Sequence, residues 1–315
     1  MMSGPSGLPN TGPLGSIGLG AKRGLSESRL ALLLILPSLV LIGGIVLYPI
    51  LNNLVISFFD YNLTIPWARP FIGLRNYVEV LTDREFLASV GRAAYFTVVS
   101  VSLELVLGLL IALFLNVDFR GRAFLKTMII LPWAVPTVVN AIMWKWIYDA
   151  NYGALNGLLM QLGMIDQYQA WLAKPFTAMN LVILADVWHQ TPFVVFILLA
   201  TLSTIPESLY EAARVDGAGS LQAFRKITLP FLRPAFLIVL VIRTMEAFRV
   251  FDIIYVMTAG GPANGTQVAT YYTYVETFRY LNMGKGAAQS FVISALIMLV
   301  SIVYIRLLKQ DDTAY

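Results

Sequence analysis

The chain has 315 residues, of which 58% are hydrophobic and 13% are charged. A soluble domain carries about a quarter charged residues, so this composition, with a mean hydropathy of +0.72, favours a protein embedded in a membrane. The absence of cysteine excludes disulfides, thiol catalysis and thiolate metal sites, and the single histidine, His189, cannot form a multi-histidine metal site. The net charge of +4 comes without a basic cluster interleaved with aromatic residues, so no nucleic-acid partner is expected.

The two ends of the chain differ from the apolar remainder. Residues 1–27 are rich in glycine, serine and proline, and they contain too few large apolar residues to form a packed core. They also lack the compact apolar stretch and cleavage site of a signal peptide. We therefore expect a disordered cytoplasmic tail at residues 1–27 and a short cytoplasmic end at residues 311–315.

Six apolar stretches follow the tail, each close to the length of about 20 residues that a helix needs to cross a bilayer. We therefore predict an all-α integral membrane domain over residues 28–310, with about six spanning helices. The predicted spans lie within Leu30–Leu51, Ala93–Val117, Thr127–Tyr148, Pro175–Ile205, Ala235–Thr258 and Gly286–Ile305. Prolines inside the third and fourth spans predict kinks, because proline removes one helical hydrogen bond.

The distribution of lysine and arginine predicts the orientation of these spans. These residues are most frequent in the loops that face the cytoplasm when the N-terminus lies inside. Both termini are therefore predicted to be cytoplasmic. The loop between spans four and five, residues 203–234, then also lies on the cytoplasmic side.

This cytoplasmic loop has the pattern of two short helices joined by a turn. Pro206 suits the first turn of a helix. Gly217 suits its C-terminal end, since glycine adopts the left-handed conformation without steric cost. The first helix is predicted to end at Val215. Ser220 is predicted to cap a second helix that ends near Pro230, so that the loop forms a compact helix-turn-helix at the inner face of the membrane.

The same loop contains Glu211-Ala212-Ala213-Arg214-Val215-Asp216-Gly217, followed by Ile227-Thr228-Leu229-Pro230. The small side chains of the two alanines allow another protein to approach the helix backbone closely. In these two segments the chain resembles the permease subunits of ABC importers, whose cytoplasmic loop follows the pattern E-A-A-x-x-x-G and then I-x-L-P. The resemblance implies that this loop docks into a cleft of an ATP-binding subunit, through Glu211, Ala212, Ala213, Asp216 and Gly217.

The resemblance covers about residues 28 to 308. Phe71-Ile72-Gly73-Leu74-Arg75-Asn76-Tyr77 and Thr258-Ala259-Gly260-Gly261-Pro262 look like the segments that follow spans one and five in carbohydrate-importing permeases. Arg243-Thr244, Ala247-Phe248-Arg249 and Phe251-Asp252 look closest to the first permease subunit of maltose- and trehalose-type importers. The resemblance implies a type I ABC-importer permease in the prokaryotic plasma membrane, which moves a disaccharide such as trehalose or maltose by alternating access.

The family also implies the partners of the chain. These are a second homologous permease subunit, two ATP-binding subunits, an extracytoplasmic solute-binding protein, the surrounding membrane lipids and the sugar itself. The chain contains no G-x-x-x-x-G-K-[ST] sequence, so it is not expected to hold ATP by that route. We expect a non-catalytic subunit that binds no cofactor, with ATP and Mg used by the partner subunits.

Charged residues within the spans are the candidates for the substrate pathway. Arg243, Glu246, Arg249 and Asp252 alternate in sign at intervals of three residues, so neighbours on the helix are predicted to neutralise one another in sequence. Two interpretations remain open, an ion-pair ladder that stabilises the bundle and a polar lining for a hydroxylated solute. Glu104 in span two has no local cation, and we predict that it pairs with Arg243 or Arg249.

Asn140, Trp188 and Gln190 lie in the outer halves of spans three and four and are further candidates, because amides and aromatic rings suit the hydroxyls and faces of a sugar. For these residues and His189, helix packing and interfacial anchoring are the alternative roles.

Two other functions remain possible. The matched charges of span five favour a neutral cargo, but a permease for glycerol-3-phosphate or another small polyol is the alternative within similar families. A polytopic membrane enzyme or a channel is the alternative from a different class. Such an enzyme needs catalytic groups within the spans, and Glu104 with Glu246 is the candidate carboxylate pair.

Overall fold

The computed structural model of the chain describes residues 27–308. The tail predicted for residues 1–27 lies outside the described residues except for Glu27, and so does the end predicted for residues 311–315. The described residues divide into two units, one that ends at Asn52 and one that begins at Asn53. Helices and loops make up the described part, without a β-strand, so the all-α prediction is confirmed.

The first predicted span is a helical segment that contains one π-helical turn. Helix α1 (Glu27–Leu41) leads through the π-helical turn Ile42–Leu47 into α2 (Tyr48–Ile56). Leu30–Ile56 is long and apolar enough to cross a membrane. The helix continues beyond the predicted end at Leu51, because a change from apolar to polar side chains does not by itself interrupt backbone hydrogen bonding.

The remaining helices are numbered in chain order. They are α3 (Arg75–Thr82), α4 (Arg84–Asn116), α5 (Arg122–Ala134), α6 (Thr137–Ile147), α7 (Ala154–Gln161), α8 (Pro175–Leu202), α9 (Glu207–Val215), α10 (Ser220–Ala223), α11 (Leu229–Phe248), α12 (Asp252–Met257), α13 (Ala269–Tyr274) and α14 (Met283–Leu308).

Among the described residues, five helical segments are long and apolar enough to span a membrane, or six if α5 and α6 form one span. The prediction of about six spans is therefore confirmed. Some helices begin well before their apolar stretch. The second predicted span starts at Arg84 rather than Ala93, because Asp83 caps the helix by accepting hydrogen bonds from the backbone N–H groups of Glu85 at 3.0 Å and Phe86 at 3.3 Å.

The third predicted span is broken rather than kinked. Helix α5 ends at Ala134, α6 starts at Thr137, and the two axes are inclined at 94°. Val135 is extended, with ψ 131°, as expected for a residue followed by proline, and Pro136 has no N–H with which to continue the helix. The prediction of one kinked helix was wrong here, because the backbone leaves the helical conformation altogether.

The cytoplasmic loop also differs from the prediction at its second helix. Ser220 makes no capping hydrogen bond through its side chain, and Gly219 occupies the cap position. Helix α10 does not end near Pro230, since a π-helical turn, Phe224–Thr228, leads directly into α11. Pro230 lies in the first turn of α11, where a missing N–H is tolerated. The predicted second helix is therefore the beginning of span five.

Two apolar clusters hold the long helices of residues 53–315 together. One lies towards the cytoplasmic loop and includes Leu115, Leu198 and Leu232, from α4, α8 and α11. The other includes Phe96 of α4 and Ile183 of α8 and lies at the opposite end of the same helices. The polar residues that α4, α8 and α11 bring together therefore lie between two apolar layers.

Candidate transport cavity and docking loop

A buried arginine on α11 connects three carboxylates. The Nε and Nη2 groups of Arg243 donate to the two carboxylate oxygens of Glu104 on α4, at 2.7 and 2.9 Å. Nη2 also donates to Asp186 of α8 at 3.3 Å, and Nη1 donates to Glu246 at 2.6 Å. Arg243 and Glu104 are 1% and 0% exposed, so this network joins three spans inside the bundle.

The two-pronged contact is the ion pair that was predicted for Glu104. A guanidinium that donates two parallel hydrogen bonds to a carboxylate is a strong, directional pair, and isolated charges in a membrane interior are costly. Asp186, a carboxylate within span four, was not predicted as a member of this site. The sequence did contain a signal for this contact, because Asp186 is a second carboxylate at the depth of Glu104 and the single charge of Arg243 cannot neutralise both carboxylates.

The predicted ladder of charges along span five is present only at its first pair, Arg243 with Glu246. Helix α11 ends at Phe248, so the spacing of three residues no longer places the following charges on one helix face. Arg249 donates instead to the carbonyl oxygen of Met245 at 3.3 Å, and Asp252 accepts from Thr137 at 2.9 Å. The ladder prediction was therefore wrong beyond Glu246.

These residues line a cavity of about 530 Å³, which we call the transport cavity. Its volume is within the range of roughly 300–1,000 Å³ that is typical of small-molecule sites. The lining residues are Thr137, Asn140, Asp186, His189, Gln190, Arg243, Glu246, Ala247, Arg249, Val250, Phe251, Asp252 and Ile253. Six of the seven sequence candidates for the substrate pathway are among them, and Trp188 is not. Trp188 instead packs edge-on against Trp144, with ring centroids 5.8 Å apart.

The walls of the transport cavity carry charges and free hydrogen-bonding groups. Three lining carboxylates face two lining guanidinium groups, so the formal charge is negative when all five are ionised. The amide of Asn140 donates weakly to the carbonyl of Ala185 at 3.4 Å. Its oxygen is buried and has no hydrogen-bond partner among the described residues, so it can accept a hydrogen bond from a hydroxylated ligand.

Two interrupted helices meet at the transport cavity. The break between α5 and α6 is held by His189, whose Nε2 donates to the carbonyl oxygen of Val135 at 2.8 Å. The break between α11 and α12 is connected to it through the hydrogen bond from Thr137 to Asp252. His189 thus lines the cavity and also supports the backbone of the neighbouring broken helix.

The predicted docking helix, α9, is exposed along its motif. Glu211 and Ala212 are exposed and Ala213 is half-buried. Its C-terminal end is a Schellman motif, in which Ala218 N–H donates to Ala213 O at 2.8 Å and Gly217 N–H donates to Arg214 O at 3.1 Å. Gly217 adopts φ +75°, the left-handed conformation that was predicted for it.

Helix α9 is coupled to span five by a side-chain contact and by the chain itself. The hydroxyls of Tyr210 and Thr228 lie 2.8 Å apart, and Tyr210 packs against the cytoplasmic-side apolar cluster. From Leu229 the α11 helix reaches Arg243 over about 21 Å, at a rise of about 1.5 Å per residue. We therefore expect a rigid displacement of α9 to reach a wall of the transport cavity through α11.

On the opposite side of the bundle, Asp83 connects α4 to α13 and α14. Its carboxylate accepts from the hydroxyl of Tyr272 at 2.9 Å and from Lys285 Nζ at 3.2 Å. Burial by itself would raise the pKa of Asp83, but the hydrogen bonds from Tyr272, Lys285 and the backbone N–H of Phe86, together with the positive charge of Lys285, hold that pKa below its ordinary value.

Residues 104–310 match the family of the binding-protein-dependent transport system inner membrane component. The chain belongs to this family. It is a multi-pass inner-membrane permease subunit of an ABC importer, a complex in which ATP hydrolysis belongs to partner subunits.

Several relatives of this permease are similar over almost their whole length. The trehalose/maltose transport system permease protein MalF of Thermococcus litoralis is 41% identical over 283 residues, which are 89% of this chain and 94% of that protein. The trehalose transport system permease protein SugA of Mycobacterium tuberculosis is 35% identical, with 90% of each chain covered. The sulfoquinovosyl glycerol transport system permease protein SmoG of Agrobacterium fabrum is 35% identical, with 91% and 93% covered.

Solved structures share the fold of this permease. A chain of a bacterial ABC transporter involved in the import of the acidic polysaccharide alginate has a TM-score of 0.78 at 21% identity, covering 91% of this chain and 97% of that one. A chain of a bacterial alginate ABC transporter in complex with its alginate pentasaccharide-bound periplasmic protein gives the same TM-score at 20% identity, with 90% and 94% covered. The predicted ABC-importer permease architecture is therefore confirmed.

Proposed function

We propose that this permease imports a neutral disaccharide of the trehalose and maltose class, which passes through the transport cavity. The observation that carries the proposal is the lining of that cavity, where amide and charged side chains from four helices surround a volume suited to a small hydroxylated molecule. The names of the trehalose and maltose relatives support the choice of cargo.

The charge of the cavity is the argument against an acidic cargo. The two arginines are outnumbered by Asp186, Glu246 and Asp252, and Arg243 is already engaged by three carboxylates. A phosphate or sulfonate entering this cavity would meet a negative wall without a free cluster of cations, which such anions need. A neutral sugar can use the same carboxylates as hydrogen-bond acceptors for its hydroxyls.

Energy would enter through α9. We propose that Glu211, Ala212, Ala213, Asp216 and Gly217 dock into an ATP-binding subunit, and that the complex contains two such subunits, a second permease and an extracytoplasmic solute-binding protein. The exposed motif and the Schellman end of α9 support this role, because both keep a rigid helix available to a partner. The partners would use ATP and Mg, and this chain would bind no cofactor.

Substrate competition tests the cargo. The reconstituted complex, with its binding protein, is assayed for ATP-dependent uptake of radiolabelled trehalose in the presence of unlabelled trehalose, maltose, glycerol-3-phosphate or an acidic disaccharide. We expect competition by the neutral disaccharides only. Absence of ATP-dependent trehalose uptake, or competition by glycerol-3-phosphate or the acidic disaccharide that equals competition by maltose, would contradict the proposal.

A pair of asparagine variants tests the cavity itself. Asn140→Ala removes a hydrogen-bond acceptor that would serve the sugar. Because a net hydrogen bond is worth about 0.5–1.5 kcal/mol, this variant should lower uptake at subsaturating trehalose by roughly two- to tenfold. Asn180→Ala is the control, because Asn180 is outside the transport-cavity lining. Equal uptake by the two variants would exclude Asn140 from the pathway.

A pair of glutamate variants tests the docking helix. Glu211 and Glu207 are both exposed on α9, but only Glu211 belongs to the E-A-A-x-x-x-G segment. We expect Glu211→Ala to reduce co-purification of the ATP-binding subunits and ATP-coupled uptake, while Glu207→Ala leaves both near the original level. Full assembly and uptake by Glu211→Ala would refute docking through this residue.

A further inference from the structure

A second cavity adjoins the transport cavity on the side away from the docking helix. It has a volume of about 450 Å³ and lies between the end of α11 and the segment from α13 to the start of α14. Arg249 and Phe251 line both cavities, so the two share one wall. We call this space the outer cavity, since the connection between spans five and six is predicted to face outward.

Aromatic rings lead from the shared wall into the outer cavity. The ring of Phe251 lies 5.1 Å from that of Tyr274, which lies 5.4 Å from that of Phe278. Phe278 is 61% exposed. Aromatic faces pack well against the apolar C–H faces of a sugar ring, and a row of them provides successive contacts without fixing one orientation.

Hydroxyl groups line the outer cavity beside these rings. Thr273 is 9% exposed, and its buried hydroxyl has no hydrogen-bond partner among the described residues. The hydroxyls of Thr277 and Ser290 donate to carbonyl oxygens of their own helices, which leaves their oxygen lone pairs free to accept. Three groups are therefore available to sugar hydroxyls.

The composition of the outer cavity differs from that of a surface that faces lipid. Another cavity of this chain, between α4 and α8, is lined mainly by aliphatic residues such as Val99, Leu103 and Leu184. The outer cavity combines hydroxyls and aromatic rings, and Arg249 is its one charged residue. Such a lining suits a neutral, hydroxylated ligand that binds weakly enough to move on.

We infer that the outer cavity is a second sugar subsite, which the disaccharide occupies between release from the binding protein and entry into the transport cavity. This inference rests on the proposed function for its choice of ligand. Phe251 and Arg249 would contact the sugar in both positions, so that it passes from one subsite to the next without returning to bulk water.

Because the chain has no cysteine, single cysteines can report on each subsite. Thr277→Cys and Ser290→Cys place a thiol in the outer cavity, and Gln190→Cys places one in the transport cavity. Ser294→Cys is the matched control, one turn beyond Ser290 on α14 and outside the lining. The full complex with its binding protein is treated with a neutral methanethiosulfonate reagent, with and without trehalose, and modification is read from the mass of this chain.

At a trehalose concentration about ten times the apparent Kd, occupancy should slow modification about tenfold. We expect that protection at Thr277→Cys, Ser290→Cys and Gln190→Cys, and no change at Ser294→Cys. Protection at Gln190→Cys without protection at the two outer positions would refute the second subsite and leave the proposed function standing. Equal protection at Ser294→Cys would also refute it, since a general change of conformation would then explain the result. Protection at none of the positions would contradict the proposed function itself.

Discussion

Replacing Arg243 by glutamine should destabilise the protein more than any change to one of its carboxylate partners. Among the described residues, Arg243 is the only cation that forms an ion pair with Glu104, which is 0% exposed, or with Asp186, which is 9% exposed. Removing one partner of a buried ion pair costs about 3–5 kcal/mol, because an uncompensated charge remains. Two buried carboxylates would be left here, so Arg243→Gln is expected at the upper end of that range.

Glu104→Gln should cost less, although its ion pair is equally buried. Arg243 would keep Asp186 and Glu246 as partners, so the loss is limited to charge-assisted hydrogen bonds worth about 1.5–3 kcal/mol. The double variant should cost less than the sum of the two single changes, because both remove the same contact. Glu79→Gln is the control, since Glu79 pairs with Arg75 at an exposed position, where an ion pair contributes about 0–1 kcal/mol.

The assay is thermal stability of the purified permease complex in lipid nanodiscs, followed by the fraction that stays monodisperse after stepwise heating. With a shift of roughly 2–4 °C per kcal/mol, Arg243→Gln should lower the midpoint by roughly 10 °C or more and Glu104→Gln by roughly 5 °C. A shift for Glu104→Gln equal to or larger than that for Arg243→Gln would show that the guanidinium does not hold this network together.

Three further predictions concern single positions. The pKa of Asp83 in the folded protein is below its value of about 4 in the unfolded chain. The ionised carboxylate therefore stabilises the fold fully above about pH 4, and this stabilisation is lost as the pH falls through the folded-state pKa. Asp83→Asn should remove this acid dependence from thermal melting. Gly217→Ala should cost about 1 kcal/mol of stability, because Gly217 has a φ of +75°, and it should reduce ATP-coupled uptake. Gly219→Ala is the control and should leave uptake unchanged, because Gly219 has a φ of −74° and a Cβ at either glycine would meet no neighbouring atom. Equal uptake by the two variants would disprove the backbone argument. A Cβ at Gly108 would lie 2.5 Å from Val194 Cγ1, so Gly108→Ala should cost about 1–3 kcal/mol of stability in thermal melting. Adding Val194→Ala to this variant should restore part of that stability. If it restores none, this steric clash is not the cause of the loss.

The sequence predicted the features that depend on local physics. Apolar length alone indicated the spans, because a helix must be about 20 residues long to cross a bilayer. The left-handed end of α9 followed from Gly217, since few other residues adopt that backbone conformation easily. The cost of an isolated charge in a membrane predicted that Glu104 pairs with Arg243 or Arg249, and the structure shows the pair with Arg243, 139 positions away.

The tertiary structure decided what local patterns leave open. Pro136 was compatible with a kink or a break, and a break is supported by His189, which satisfies the carbonyl of Val135 from another helix. The charges of span five were evenly spaced, but the end of α11 at Phe248 separated them. Asp186 joined the site because α8 packs against both α4 and α11 at the depth of Arg243. Composition and spacing determined which residues needed partners, and the packing of distant helices determined which partners they found.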